Sequence, residues 1–183
     1  APATFGTADD AAGAVAAVRA VHERGRGVAP DGRPYRASDP DLLRWVHVAE
    51  TQSFLVVHQE FGHRPLDAAG CDEYVAQAAV VGRALGVEDV PVTVRELDDA
   101  VAGYRPVLGL TPAALAAARF LLVEPPLPWA VRRVYAGLAV AARASLPDWA
   151  RAGMPRVRGL PQRWAHPAGE AVTRLLRWAL PGA

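Results

Sequence analysis

The first helical pattern of the chain ends in the stretch VRAVHERGRG, residues 18–27. Val15, Val18 and His22 recur at steps of three and four residues, so a helix places them on one inward stripe. Arg19 lies one turn before His22. A neutral imidazole in apolar surroundings can ligate a metal or a haem iron. It can equally be a core histidine that is satisfied by a hydrogen bond, and the spacing alone leaves both roles open.

Proline and glycine divide the rest of the chain into helices. Thr7 predicts the N-cap of the first helix, and Gly25 predicts its end. The run PDGRPY at 30–35 predicts a chain reversal, after which Ser38 caps a second helix that extends to about Gly62. Further helices are predicted over Asp67–Leu85, from the capping box at 93–96, from Thr111-Pro112, and over Trp129–Ala144, Leu146–Met154 and Pro167–Leu180. Because neither an alternating strand pattern nor an internal repeat occurs, we expect an all-α fold, with several helices in a single domain.

One side of the second helix combines apolar and polar residues at helical spacing. These residues are Leu43, His47, Thr51, Phe54, Leu55 and His58. Burying such a polar group without a partner costs on the order of 1–3 kcal/mol, so each must pair with another group or line a site. For His47 the alternative to a site role is a structural hydrogen bond. For Thr51 it is the usual hydrogen bond to the carbonyl one turn back. We expect both side chains to be mostly buried.

Composition and charge restrict the classes of function. Twenty Arg and no Lys stand against 19 acidic residues, a net charge of +1 that offers no general field for nucleic acid. Cys71 is the single cysteine, which excludes an internal disulfide and favours a reducing, cytoplasmic compartment. The chain contains no run of about 18 apolar residues, so no transmembrane helix is predicted. The segment Leu121–Leu138, with Arg132 and Arg133 at its edge, leaves peripheral membrane association open as an interpretation.

Most motifs that identify an enzyme class are absent. The chain has no phosphate loop and no GxGxxG, GxSxG or HExxH motif. A di-iron bundle needs two Glu-x-x-His units and further carboxylates, whereas only Glu60 and His63 match, beside the helix end at Gly62. The inward-facing candidates for a site are therefore His22, His47 and His58, together with Arg19 and Thr51.

Several separate motifs, in their order and spacing, resemble one broad family. They are VRAVH at 18–22, RG at 26–27, PDGRPY at 30–35, SDPDLLRWVH at 38–47, SFL at 53–55, GRALGV at 82–87 and LP at 127–128. The chain resembles the bacterial "domain of unknown function 2236" proteins. These are grouped with the catalytic domains of latex-clearing protein (rubber oxygenase) and of the fungal oxygenase of mycophenolic acid biosynthesis. The resemblance covers most of residues 1–183 and is more specific for the family than for an activity.

The resemblance implies an all-α fold with a globin-like core, a b-type haem and oxygen-dependent chemistry. In the rubber oxygenase an Arg-x-x-His pair stands at the haem, and its histidine is the proximal iron ligand; the matching residues here are Arg19 and His22. A threonine on the following helix lies near that haem, and Thr51 is the nearest match. His47 belongs to a Trp-x-His motif that is common in the bacterial branch. Family members also carry an upstream segment that supplies the distal side of the haem pocket, and residues 1–183 are expected to start just after it.

Together these expectations predict a haem b-dependent oxygenase or related oxidoreductase. Its partners would be molecular oxygen and a hydrophobic, isoprenoid- or lipid-like substrate. His22 would ligate the iron, Arg19 would bind or orient a polar group, and Thr51 and His47 would complete the site. The alternative is a helical binding or structural module that keeps the fold without haem. Haem absorbance of the purified protein distinguishes the two interpretations.

Overall fold

Helices account for most of the described chain. The structure is a computed structural model that describes residues 6–157 and 161–179. Within these residues the elements are α1 (Ala8–Arg24), β1 (Arg26–Val28), β2 (Pro34–Arg36), α2 (Pro40–Phe61), α3 (Ala68–Ala84), α4 (Val94–Tyr104), α5 (Pro112–Leu122), α6 (Trp129–Ala144), α7 (Asp148–Arg151) and α8 (Ala165–Ala179). Single 3₁₀ turns follow α4 at Arg105–Val107 and precede α8 at Gln162–Trp164. The predicted all-α class is confirmed.

A two-stranded antiparallel hairpin, β1 and β2, interrupts the helices. Gly27 of β1 lies opposite Tyr35 of β2. The hairpin was not predicted, because each strand has three residues and is too short to show an alternating pattern. The predicted chain reversal is confirmed as the turn of this hairpin, where Gly32 adopts a φ of +84° that favours glycine.

Helix α1 begins with a complete capping box and ends at the predicted residue. The Thr7 hydroxyl accepts a hydrogen bond from the Asp10 backbone N–H, and the Asp10 carboxylate accepts one from the Thr7 N–H at 2.9 Å. Gly25 ends the helix. The helix has no fully buried residue, and Val18 is 40% exposed, so the predicted inward stripe is wrong at Val18. Because α1 lies over its neighbours without being enclosed by them, its apolar side chains keep part of their surface in water.

The chain forms two compact units, and the first comprises residues 1–55 and 66–108. Its core contains Val48, Leu55, Val75, Leu97, Ala100 and Val101, from α2, α3 and α4. The rings of Trp45 and Tyr104 pack beside this core with their centroids 5.2 Å apart. The Tyr104 hydroxyl also donates to the backbone carbonyl of Asp41 at 3.2 Å. Apolar burial and aromatic packing therefore hold the start of α2 against the end of α4.

The second compact unit comprises residues 56–65 and 109–183. Helices α6 and α8 approach closely at two small residues, since a Cβ at Gly137 would lie 3.4 Å from the Cβ of Ala168. The rings of Phe61 and His166 meet edge to face with centroids 5.6 Å apart, which joins the last turn of α2 to α8. None of the helices in the described ranges is both long enough and apolar enough to cross a membrane.

Several predicted helix ends are confirmed and others shift. Asp67, Thr93 and Thr111 cap α3, α4 and α5 with their side chains. The second helix begins at Pro40, two residues after the predicted cap at Ser38. Of the predicted helix Leu146–Met154 only Asp148–Arg151 is helical, and the predicted end at Leu180 lies outside the described residues.

Candidate functional site

All four residues predicted for the site lie in the first compact unit. Arg19 and His22 are on α1, and His47 and Thr51 are on α2. Among the described residues, none of the four side chains is hydrogen-bonded to another. The structure therefore places the residues in one unit but does not join them into a network.

His22 is half-buried near the end of α1. Its Nδ1 atom is shielded from solvent and has no hydrogen-bond partner in the described parts of the chain. Its backbone carbonyl accepts from the N–H of Gly25 at 3.1 Å as the helix ends. A shielded ring nitrogen without a partner costs on the order of 1–3 kcal/mol, and within the described residues Nδ1 lacks the hydrogen bond that a structural core histidine would make.

Arg19 already contacts the protein. One guanidinium nitrogen donates to the backbone carbonyl of Ala84, at the C-terminal end of α3, at 3.3 Å. The guanidinium also lies about 4 Å from the position that a Cβ would occupy at Gly86, which has a φ of +93°. A cation at a helix C-terminus is favourable because the last carbonyls carry partial negative charge. Arg19 thus joins α1 to the end of α3, whatever else it binds.

His47 packs directly against α3. A Cβ at Gly82 would lie 2.8–3.0 Å from three atoms of the imidazole, so the ring rests on the glycine backbone. The Nε2 atom is buried and has no partner among the described residues. Burial lowers the pKa of His47 below its usual range, the Glu50 carboxylate opposes this shift, and the Arg83 guanidinium adds to it. The side chain is therefore held neutral.

A tyrosine of α3 shares the surroundings of His47. Burial raises the pKa of the Tyr74 phenol, and the charge of Glu50 raises it further. Glu50 therefore acts electrostatically on both His47 and Tyr74. The arrangement offers a neutral imidazole and a neutral phenol near one carboxylate, which are groups that can accept or donate a proton.

The polar stripe predicted on α2 is only partly correct. Thr51 is 4% exposed, so its predicted burial is confirmed, and Leu55 is buried with it. Phe54, by contrast, is 59% exposed, and His58 is exposed with its Nε2 atom 3.2 Å from the backbone carbonyl of Arg64. The predicted stripe is too wide, because the face of α2 that packs on the core is narrower than the six predicted residues imply. His58 therefore serves a local turn and is removed from the list of inward-facing candidates.

Two features of the structure are not predicted by the sequence pattern. Gly82 appeared only as part of a family motif, and nothing in its spacing signals that an imidazole would rest on it. Arg26 and Arg36 lie opposite each other across the hairpin, a pairing that becomes visible only once the strand register is known. The PDGRPY turn was the one available signal, since a short turn with the correct register predicts which residues face each other.

Several cavities open on the described part of the first unit, and three of them bear on the site. The largest two have volumes of about 650 and 580 Å³, and the third has about 360 Å³. The 580 Å³ cavity has four acidic residues in its wall and is lined by Asp41, Arg44, Asp89, Glu96, Asp99 and Tyr104, among others. None of these three cavities is lined by Arg19, His22, His47 or Thr51. Within residues 6–157 and 161–179, no group of three or more His, Cys, Asp or Glu side chains could hold a metal ion.

Comparison with known proteins supplies the family. No curated protein and no solved structure matches the chain. The family described as the catalytic domain of the ER-bound oxygenase mpaB/B′ and rubber oxygenase matches residues 1–180, almost the full length. This match agrees with the resemblance carried by the motifs around Arg19, His22 and His47. The chain therefore belongs to the mpaB/rubber oxygenase catalytic-domain family.

Proposed function

We propose that the protein is a haem b-dependent oxygenase that acts on a hydrophobic, isoprenoid- or lipid-like substrate, with His22 as the iron ligand. Membership of an oxygenase family implies molecular oxygen and a small-molecule substrate. The proposal rests on one observation, which is the environment of the His22 ring nitrogen. Its Nδ1 is shielded from water and makes no hydrogen bond within the described residues.

The residues present fit a haem in their chemistry. Haem needs one protein ligand rather than a cluster, so the lack of a three-residue metal site among the described residues does not conflict with it. A histidine whose ring is not committed to a protein hydrogen bond can give a nitrogen lone pair to iron. Val18 and Val21, on the same helix, keep much of their surface exposed and would supply apolar contacts to a porphyrin.

The chain's own side chains would each perform a limited task. His22 would hold the iron, and the bound haem would supply the electron transfer and oxygen activation. Arg19 would fix α1 against the carbonyl of Ala84 and so keep His22 in place. The neutral imidazole of His47 would accept or donate a proton, and buried Thr51 would limit access of water to this side of α2. Electrostatic interactions are stronger where water is excluded, as it is at Thr51 and at the buried His47 Nε2 atom.

A second candidate function has one observation in its favour. Arg19 is already bonded to α3 and His47 already packs against Gly82, which is what a helical binding or structural module without haem would require. In that case both residues stabilise the fold only. The two functions make opposite forecasts for the spectrum of the protein.

The test substitutes the proposed ligand in the protein titrated with haemin. We expect His22→Ala to abolish or greatly weaken the Soret band while leaving helical content unchanged, because alanine is a good helix former. Adding free imidazole should restore part of the band, since imidazole can replace the missing axial ligand. His63→Ala is the matched control, because His63 is exposed in the second unit. Unchanged haem content with a lowered thermal midpoint would reject His22 as the ligand and make His47 the next candidate. A protein that gives no Soret band with haemin even without the substitution would support the module without haem.

A further inference from the structure

Two arginines face each other across the hairpin with their side chains on the same face. Residues 25 and 37 share a backbone hydrogen bond, Ala37 N–H to Gly25 C=O at 2.9 Å, and residues 29 and 33 share another at 2.8 Å. Since hydrogen-bonded pairs alternate along an antiparallel ladder, Arg26 and Arg36 form a non-hydrogen-bonded pair. Opposed side chains approach most closely in such pairs. The backbone register therefore places the two arginine side chains beside each other on one face of the hairpin.

The two positive charges lack a counterion. Among the described residues, neither the Arg26 nor the Arg36 side chain has an ion pair or a hydrogen-bond acceptor. Two acids lie nearby, and one of them, Asp39, lines the same cavity as the arginines. Asp31 pairs with Arg33 at 2.7 Å, and the Asp39 carboxylate accepts from the Arg36 backbone N–H at 2.8 Å. Like charges directly opposite each other on a sheet are destabilising, so an anion bound between the two exposed arginines would relieve their repulsion.

A cavity lies at this pair. Its volume is about 360 Å³, and Arg26, Arg36 and Tyr35 line it together with Gly27, Pro34 and Asp39. The Tyr35 ring passes over Gly27, since a Cβ there would lie 2.5 Å from the phenol oxygen. The glycine thus leaves room for the aromatic ring on the other face of the strand pair. The cavity therefore offers two cations, and Tyr35 lines it as well.

A more apolar cavity adjoins it. This cavity has a volume of about 650 Å³ and shares Pro34, Tyr35 and Asp39 with the first. It adds Leu42, Pro40 and Ala29 to the wall, together with the charged residues Arg33 and Asp41. Paired guanidinium groups recognise planar carboxylates with directed hydrogen bonds, and the adjoining surface accepts an apolar body. The combination fits a molecule that is apolar except for a carboxylate.

We propose that Arg26 and Arg36 form a binding site for the carboxylate of an otherwise apolar molecule. The carboxylate has two sources: a propionate of the haem or the head group of a hydrophobic substrate. The first source rests on the proposed function, because it requires that haem binds at His22. Arg26 follows His22 by four residues across the end of α1. The second source does not depend on haem.

The test uses the full chain and pairs of ligands that differ only in the carboxylate. Haemin is compared with haemin dimethyl ester by Soret titration, and decanoate is compared with 1-decanol by calorimetry. Arg26→Gln and Arg36→Gln should each weaken binding of the carboxylate ligand roughly tenfold or more. Binding of the ester or the alcohol should change less than about twofold. Arg95→Gln, on the exposed side of α4, is the control and should change neither.

Folding of the variants is not at risk, because Arg26→Gln and Arg36→Gln each remove a like-charge repulsion. Their thermal midpoints should equal or exceed that of the unsubstituted protein. An effect on haemin but not on its ester assigns the site to a propionate, and an effect on decanoate assigns it to a substrate. Arginine-dependent decanoate binding without haemin binding would support this site and reject the haem proposal. Equal effects on acid and ester, no effect, or no binding of either acid would overturn the site.

Discussion

His47 occupies its place between α2 and α3 only because position 82 carries no side chain. Three atoms of the imidazole lie within 3.0 Å of where a Cβ at Gly82 would stand, closer than real Cβ contacts allow. The neighbouring backbone belongs to two packed helices and cannot move away freely. The glycine therefore positions the histidine.

Gly82→Ala should destabilise the protein by about 1–3 kcal/mol, because the added methyl group overpacks the interface and displaces the imidazole. The matched control is Gly103→Ala on α4, where nothing lies within 4 Å of the new Cβ. That change should stabilise by about 0.5–1 kcal/mol, since alanine is the better helix former. Urea denaturation of both variants gives the two values. Equal effects of the same sign would show that the close contact does not determine the packing.

The lowered pKa of His47 predicts how stability depends on pH. The folded protein binds the proton less readily than the unfolded chain, whose histidine has a pKa of about 6.5. The stabilisation is present above about pH 6.5 and is lost as pH falls, because protonation then favours the unfolded state. We expect the unfolding free energy to fall between about pH 7.5 and 5.5, and to fall less in His47→Gln. His63→Gln should keep the original dependence, and a fall that is the same in His47→Gln would exclude His47 as its cause.

Residue burial could be predicted from sequence only in part. Thr51 was placed correctly, because a buried face of a long helix repeats and its centre is well determined by Val48 and Leu55. Phe54 and Val18 were placed wrongly, since they lie at the margins of their helix faces, where burial depends on whether a neighbouring element covers them. Helical period gives the direction of a side chain but not the partner that covers it.

Helix α1 differs from the other long helices in how it is stabilised. It buries no residue completely, whereas α3 and α4 each bury three. Its stability therefore depends more on local terms, namely the capping box at Thr7 and Asp10 and the contact of Arg19 with Ala84. Helix α1, which carries His22, is therefore more easily loosened than α3 or α4.

Thr7→Ala should loosen α1 without unfolding the unit. Loss of an N-cap costs about 1 kcal/mol, and because α1 is not enclosed, this cost should appear as local opening. Hydrogen exchange of the α1 amides should become several times faster, while exchange in α3 stays the same. Thr93→Ala is the matched cap variant on α4, whose residues lie in the core. It should lower global stability instead. Uniform acceleration in both variants would show that α1 does not open by itself.

The elements themselves were predictable to different degrees. Caps at Thr93 and Thr111 are local chemistry, so the sequence located the starts of α4 and α5 directly. The hairpin was missed as a pair of strands although its turn was recognised, because three-residue strands derive their structure from pairing rather than from their own pattern. The arginine pair follows from that register and could not be foreseen without it.

For the whole molecule, the sequence predicted class and family but not the arrangement. The all-α class is confirmed, and the family match covers residues 1–180. The single domain over residues 1–183 and the globin-like core stay predictions, since no solved structure matches the chain. Membrane association through Leu121–Leu138 also stays a prediction, and several apolar side chains there, including Val134 and Leu138, are exposed. Contacts between distant segments are not encoded in local periodicity.

The division into two units predicts where a ligand should act. The four predicted site residues and the arginine pair all lie within residues 6–55 and 66–108. A bound molecule suppresses the local openings of the region that it contacts, so hydrogen exchange reports its location. We expect haemin to slow exchange in α1, the hairpin and the first half of α2, and to leave residues 109–157 largely unchanged. Haemin dimethyl ester is the control and should protect α1 but protect the hairpin less, because the ester cannot pair with Arg26 and Arg36. Protection confined to residues 109–157 would place haem binding in the second unit and reject His22 as the ligand.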